Sequence, residues 1–387
     1  MIELVKDTID KRDVNRLIKW LKTYPRLTKG PLTIDFENKW SKMLGMEHST
    51  FVNSGSSAII MMLQALLEAK RIDRGCKVVV PALSWATDFS SVVQLGFEPV
   101  ICDCNLQDLS VDLKQLEYLF QTEKPKVLLL VSVLGLVPDM NQIVKLCNEY
   151  NVILLEDACE SLGSAYKGKQ LGTFGAMSIF SSYFGHHIST IEGGMVSTND
   201  EELNMVLKSI RNHGWDRDLT TEQKTKLQTE FNVDAFSSLY TFYYLGFNFR
   251  STDLQAFLGI DQLDKLPKII KNRNANYKLY KRLVKTEWSP VVAKDCFVSN
   301  FAYPVISKAK NNIVKRLQDE NVQVRPLIAG SMTSQPFYTK NFPQRYKVDN
   351  AMRINEYGLY VPNHPMLSKT DIEKVSNIIT TTEKETP

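Results

Sequence analysis

Four short runs decide what this chain can become: Val78 to Val80, Val100 to Cys102, Val127 to Val133 and Val152 to Leu155 are nearly all apolar. A strand with one wet face alternates apolar and polar residues, whereas a run apolar throughout is covered on both faces. Amphipathic stretches precede and separate these runs. Helical spacing is plain at Val14, Leu17, Ile18 and Leu21, and an apolar stretch from Ile59 to Leu67 follows Ser54-Gly55-Ser56-Ser57 directly. Strands alternating with helices predict an α/β fold around a mostly parallel sheet.

From about Leu266 the pattern changes to a long charged helix, a strand at Phe301 to Ile306, a helix near Asn311 to Leu317, a strand at Val322 to Pro326 and a last helix with Ile372, Val375, Ile378 and Ile379. This reads as a smaller α+β domain. At 387 residues the chain exceeds the size at which one core usually divides, so the expected domains are residues 1–260 and 261–387. Between them Asp216 to Ser238 is polar and weakly periodic, and is read as a functional or interface loop.

The 47 basic residues exceed the 43 acidic ones by only four and are scattered, which argues against a nucleic-acid partner. Cys76, Cys102, Cys104, Cys147, Cys159 and Cys296 include no C-x-x-C pair, so neither a zinc site nor a disulfide framework is indicated. The longest apolar run is too short to span a bilayer, and the charged start Met1-Ile-Glu-Leu-Val-Lys-Asp lacks the apolar stretch of a signal peptide. A cytosolic location and no membrane association are expected.

Chemistry concentrates at three places. Ser54-Gly55-Ser56-Ser57 precedes an apolar helix, so backbone N–H groups there would form an anion cradle, although a plain N-cap has the same sequence. Glu156-Asp157 closes the run Val-Ile-Leu-Leu, where ligands of open α/β sheets gather beyond the strands' carboxyl ends. A carboxylate there could hold a cationic ring nitrogen or be an ordinary strand-end acid. The third is Phe180 to Thr198, containing Ser181, His186-His187 and Glu192-Gly193-Gly194, just after Gly172-Thr-Phe-Gly175.

In order, Ser54-Gly55-Ser56, Ser84-Trp85, Glu156-Asp157-Ala-Cys-Glu160, Ser181 with Glu192-Gly193-Gly194, and Gly246-Phe-Asn-Phe-Arg250 resemble the DegT-type nucleotide-sugar aminotransferases over essentially the whole chain. These are fold-type I pyridoxal-phosphate enzymes. The resemblance implies a large domain with a mostly parallel seven-stranded sheet and a small C-terminal domain. Six residues before Glu192, where the family carries the lysine that holds the cofactor covalently, this sequence has His186. That replacement resembles the branch of sugar 3-dehydratases that act on 4-keto-6-deoxyhexoses with pyridoxamine phosphate, the GDP-colitose pathway's among them. Asn212-His213-Gly214-Trp215, Arg325-Pro-Leu-Ile-Ala-Gly330 and Pro362-Asn363-His364 look like the same branch.

By this resemblance Asp157 pairs with the pyridinium nitrogen, Trp85 stacks on the ring and Glu160 lies beside its 3-oxygen. Gly55, Ser56 and Ser181 bind the phosphate, which Asn248 reaches from a second subunit of a homodimer. His213, Arg250 and Arg325 face the sugar nucleotide, and no metal is implied. His186 is the expected catalytic residue: an imidazole with an ordinary pKa near 6.5 is neutral enough to take a proton at cellular pH and then to return it to a leaving hydroxyl. His187 is expected to turn away as structure.

The implied reaction removes the C3 hydroxyl of a nucleotide-linked 4-keto-6-deoxy sugar, GDP-4-keto-6-deoxymannose first among them, with L-glutamate as the amino donor that regenerates pyridoxamine phosphate. Related CDP-sugar enzymes carry an iron–sulfur cluster and use a reductase. Their closely spaced cysteines are missing from Asp216 to Ser238, so neither cluster nor reductase is expected. The residues leave open an aminotransferase without its lysine and an inactive binder of cofactor or sugar nucleotide.

Overall fold

The computed structural model describes residues 1–386. Its strands are β1 (His48–Val52), β2 (Lys77–Pro81), β3 (Glu98–Cys102), β4 (Val127–Val131), β5 (Ile153–Asp157), β6 (Ala165–Tyr166), β7 (Lys169–Gln170), β8 (Met177–Ser181), β9 (Gly194–Thr198), β10 (Cys296–Phe297), β11 (Ala302–Ile306), β12 (Arg325–Pro326) and β13 (Gly358–Pro362). Seven form the large sheet in the order β1-β9-β8-β5-β4-β2-β3. Only β9 runs against its neighbours; the other six are mutually parallel. All four apolar runs became sheet strands, and every residue of β4 is buried.

Helices cover the sheet because each carries one apolar stripe. Gly55–Glu68, the helix after β1, buries ten of its fourteen residues, so it lies within the core. Helix Lys11–Leu21 forms as its spacing predicts, yet Val14, Ile18 and Leu21 are 44%, 47% and 37% exposed. Leu17 alone of the stripe is partly buried, so most of it is uncovered among the described residues.

The 31-residue helix Asp253–Leu283 begins well before Leu266, and the division expected at residue 260 falls inside it. Beyond it β11, β13 and β12 make a three-stranded antiparallel sheet flanked by Lys310–Asp319 and Lys369–Glu385. Residue Ile2 pairs with Val322, so the start of the chain belongs with this later unit. The stretch Asp216 to Ser238, expected as a loop, contains the helix Thr221–Glu230. Only Leu227 of that helix is buried, which left no apolar period to read, while the reciprocal Thr220–Gln223 cap marks its start.

Candidate active site

Beyond the carboxyl ends of β1, β5 and β8 the sequence motifs converge. Ser54 caps helix Gly55–Glu68, its hydroxyl accepting from the Ser57 N–H at 3.0 Å. The N–H groups of Gly55 and Ser56 start the helix with no intrahelical acceptor and point out of its N-terminus. A Cβ on Gly55 would lie 3.0 Å from the Ser181 Cβ and 3.4 Å from the Cys159 Sγ, so this turn lies directly against β8 and β5's exit. The glycine of β9, Gly194, has the same logic: a side chain there would run into the Ser54 carbonyl. Hence the Glu-Gly-Gly signature is a packing requirement of the cradle.

Glu156 and Asp157 are neighbours on β5, so their side chains take opposite faces. Glu156 is wholly structural. Its carboxylate accepts from Gly172 at 2.7 Å, Phe174 at 2.6 Å and Gly175 at 2.7 Å, which fastens the loop leading into β8. Asp157 faces the site, with the Cys159 N–H on Oδ1 at 2.9 Å. Opposite it stands Asp88, fully buried in the first turn of helix Ala86–Gln94, a residue to which no sequence motif pointed. One Asp88 oxygen accepts from the Trp85 N–H at 3.0 Å. The other finds no partner among the described residues. Burial and then Asp157's charge push Asp88 well above the carboxylate range. Burial raises Asp157 too, against the Cys159 and Asp88 hydrogen bonds that favour its charge.

Through that Trp85 N–H the dyad is tied to the aromatic residue of the site. Trp85 is 58% exposed, so it is not a core residue and its indole face is available. Glu160 accepts from the Leu134 N–H at 2.6 Å, and burial followed by the charge of Asp157 pushes its carboxyl up to about 8. At neutral pH it holds a proton.

Leaving β8, the chain turns through Tyr183, whose N–H meets the Ser181 hydroxyl at 3.3 Å and whose carbonyl accepts from the His186 N–H at 2.9 Å. The His186 ring lies 5.3 Å from Phe301 and 6.3 Å from Tyr183, centroid to centroid. Its Nδ1 is enclosed, and neither ring nitrogen meets a hydrogen-bond partner among the described residues. Burial, then the charge of Arg273, lowers its pKa to about 4, well below the ordinary imidazole value assumed from sequence. His187 turns away as expected: its Nε2 lies 2.8 Å from the Ser299 carbonyl and 3.1 Å from its hydroxyl.

The remaining expected residues fall into two groups. The segment Phe247 to Arg250 lies beside the end of β1, where the Asn53 N–H donates to the Phe249 carbonyl at 3.1 Å. There Arg250 Nη1 donates to Asn212 Oδ1 at 2.9 Å, and the His213 N–H donates to the Phe247 carbonyl at 2.7 Å. His213 adopts a left-handed φ of 62° that keeps its ring 5.3 Å from Trp215. Asn248 is exposed, and its side chain makes no hydrogen bond among the described residues. Arg325 is exposed on β12, opposite Tyr360 of β13, whose ring lies 6.1 Å from Phe301. From there the chain reaches Met332, whose N–H donates to Ala82 at 2.8 Å, just ahead of Trp85.

The model of the DegT/DnrJ/EryC1/StrS aminotransferases matches residues 7–380. The chain belongs to that family. A GDP-4-keto-6-deoxy-D-mannose 3-dehydratase from Yersinia pseudotuberculosis is 33% identical over 386 residues, 97% of each chain. The enzyme of the same name from Escherichia coli O55:H7 is 32% identical, covering 91% of this chain and 92% of its own. Among solved structures, a GDP-4-keto-6-deoxymannose-3-dehydratase with a trapped PLP-glutamate geminal diamine superposes with a TM-score of 0.90 at 28% identity, over 98% of this chain and 100% of that one. The family member is thus similar along its whole length to enzymes of the dehydratase branch, as its histidine implied.

Proposed function

We propose that this chain is a pyridoxamine-phosphate-dependent 3-dehydratase that removes the C3 hydroxyl of a nucleotide-linked 4-keto-6-deoxyhexose, GDP-4-keto-6-deoxymannose being the first candidate. The observation that carries this reading is His186: a neutral imidazole without a partner stands where the family's lysine would stand, beside an otherwise intact cofactor site. The relatives' activity supports the choice of sugar and nucleotide.

The residues present fit the cofactor. Gly55 and Ser56 offer unclaimed N–H groups at a helix start for its phosphate, with the Ser181 hydroxyl alongside. Asp157 would hold a proton on the ring nitrogen, Asp88 would keep that carboxylate oriented, and the Trp85 face would cover the ring. Bound pyridoxamine phosphate supplies an amine for the C4 ketone and a ring that accepts electrons. His186 then takes a proton at the cofactor's C4′ carbon and delivers it to the C3 hydroxyl oxygen as that group leaves. Protonated Glu160 can donate beside the ring, whereas a lysine at position 186 would compete for the amine's place. Glutamate would restore the amine form, and Arg250, Arg325 and His213 would receive the sugar nucleotide.

A homodimer with shared sites completes the reading. Asn248 makes no side-chain hydrogen bond among the described residues, and Phe236, Tyr240 and Phe242, a few residues before it in sequence, are 83%, 72% and 54% exposed. The cytoplasm fits six cysteines that are all free thiols.

Mass spectrometry of the product after incubation with pyridoxal phosphate, glutamate and a panel of nucleotide-linked 4-keto-6-deoxyhexoses tests the reaction and substrate together. A glutamate-dependent product lacking one hydroxyl is expected. A product with an amino group in place of the ketone would overturn the elimination. The variant His186→Asn should lose turnover by roughly 10² to 10⁴-fold while keeping the cofactor's absorbance; an unchanged rate would remove His186 from the mechanism.

A further inference from the structure

Arg273 is a charge with no counterion. It projects from helix Asp253–Leu283, is 2% exposed, and no carboxylate reaches its guanidinium among the described residues. Backbone carbonyls surround it instead. Nη1 donates to Phe301 at 2.7 Å, Asn363 at 2.9 Å and Asn300 at 3.3 Å, and Nη2 donates to the carbonyl of His186 at 3.2 Å. Buried cations are ordinarily paired, and an amide side chain could bind carbonyls without the desolvation cost of a charge. A full charge kept in this place therefore has a use that hydrogen bonding alone does not explain.

What distinguishes the place is its neighbours. Three segments far apart in sequence meet on Arg273: the turn carrying His186, the lead-in to β11 and the end of β13. The rings beside the His186 imidazole are Phe301 from the lead-in and Tyr183 from its own turn, Arg273 reaches the His186 carbonyl from the helix, and none of the three is an anion. We propose that Arg273 is the positioning residue of His186: it fixes the His186 backbone through the carbonyl and, as an uncompensated nearby charge, keeps the imidazole in its neutral, proton-accepting form.

This rests on the reading of His186 as the base. Arg273 neither gives nor takes a proton. It penalises the imidazolium, so a proton accepted by His186 is passed on readily to the departing hydroxyl, which needs a strong acid. The same guanidinium acts on two other histidines: burial and then Arg273 lower His187 well below the ordinary value and His364 to about 4. Three of the chain's five histidines are thus held neutral around one cation.

The test is NMR of the full-length protein labelled at the histidine rings, with the His186 signal assigned by its loss in His186→Asn. In wild type the signal should not titrate between about pH 8 and 5.5. In Arg273→Gln, which keeps donors but not charge, the His186 midpoint should rise by about one unit or more, and the acid limb of kcat/KM should move with it. Arg273→Lys, which keeps the charge, should restore the wild-type titration. A wild-type midpoint near 6.5, or a midpoint indifferent to Arg273→Gln, overturns the proposal. If Arg273→Gln does not fold, Arg273→Met takes its place as the charge-free variant, with the same two outcomes. The titration is read without turnover, so an unchanged rate in His186→Asn would sink the catalytic reading and leave this measurement interpretable.

Discussion

Replacing Arg211 by methionine should be among the costliest single changes outside the site. Arg211 is 1% exposed at the end of helix Glu201–Ile210, and its Nη1 holds both the Glu37 carboxylate and, at 2.8 Å, the Phe51 carbonyl of β1. Its Nη2 reaches Asp218 at 3.1 Å. Asp218 keeps a second cation, Lys29, at 3.0 Å, but Glu37, 5% exposed, would keep only the Phe51 N–H at 2.8 Å. Arg211→Met therefore strands one buried carboxylate, which costs about 3–5 kcal/mol, whereas Arg211→Met with Glu37→Met removes both charges and should recover most of that loss. Urea unfolding at pH 7 and fixed protomer concentration measures each variant, and a double-mutant cycle gives the coupling. Because the pair is buried, the cost should change little between low and high salt. A single-variant cost below about 1 kcal/mol, or a double variant no more stable than Arg211→Met, would refute the reasoning.

Trp85→Ala should weaken cofactor binding by roughly fivefold, the scale of about 1 kcal/mol expected of one stacking contact, as read by absorbance titration; unchanged affinity would take the indole off the ring. Glu160 should mark the pH dependence of stability. Its carboxyl is raised to about 8 from 4.5, so the contribution of the protonated form is present at low pH and is lost as pH rises through 8. Relative to wild type, Glu160→Gln should gain about 3 kcal/mol in cofactor-free protein between pH 5 and 9, after allowance for partial exposure, and a difference independent of pH would contradict a buried neutral acid. Glu156→Ala should lower the thermal midpoint by several degrees without altering which sugars react, since three loop N–H groups lose their acceptor. A change of substrate preference with unchanged stability would move Glu156 into the site.

Much of this was legible without coordinates because it is contiguous along the chain. The all-apolar run Val127 to Val131 fits a strand covered on both faces, and it became β4. The serine-glycine turn, the strand-end carboxylates and the Glu-Gly-Gly signature are each a few residues long, and their order carried the family. Replacing the lysine by His186 changes one side chain within such a motif, so it too could be read directly.

What tertiary structure decided are the properties set by distance in space. Asp88 and Asp157 are 69 positions apart, and Asp157's charge raises Asp88 only because the fold brings helix Ala86–Gln94 to the end of β5. The carbonyls around Arg273 come from residues 186, 300, 301 and 363, and no periodicity in a helix of scattered charges points to them. Helical spacing announced the stripe on Lys11–Leu21 but not that most of it is uncovered among the described residues. Sequence names an imidazole; burial first and the Arg273 charge second lower it to about 4 from 6.5, because desolvation and Coulomb energy depend on what surrounds a group and not on which residues precede it.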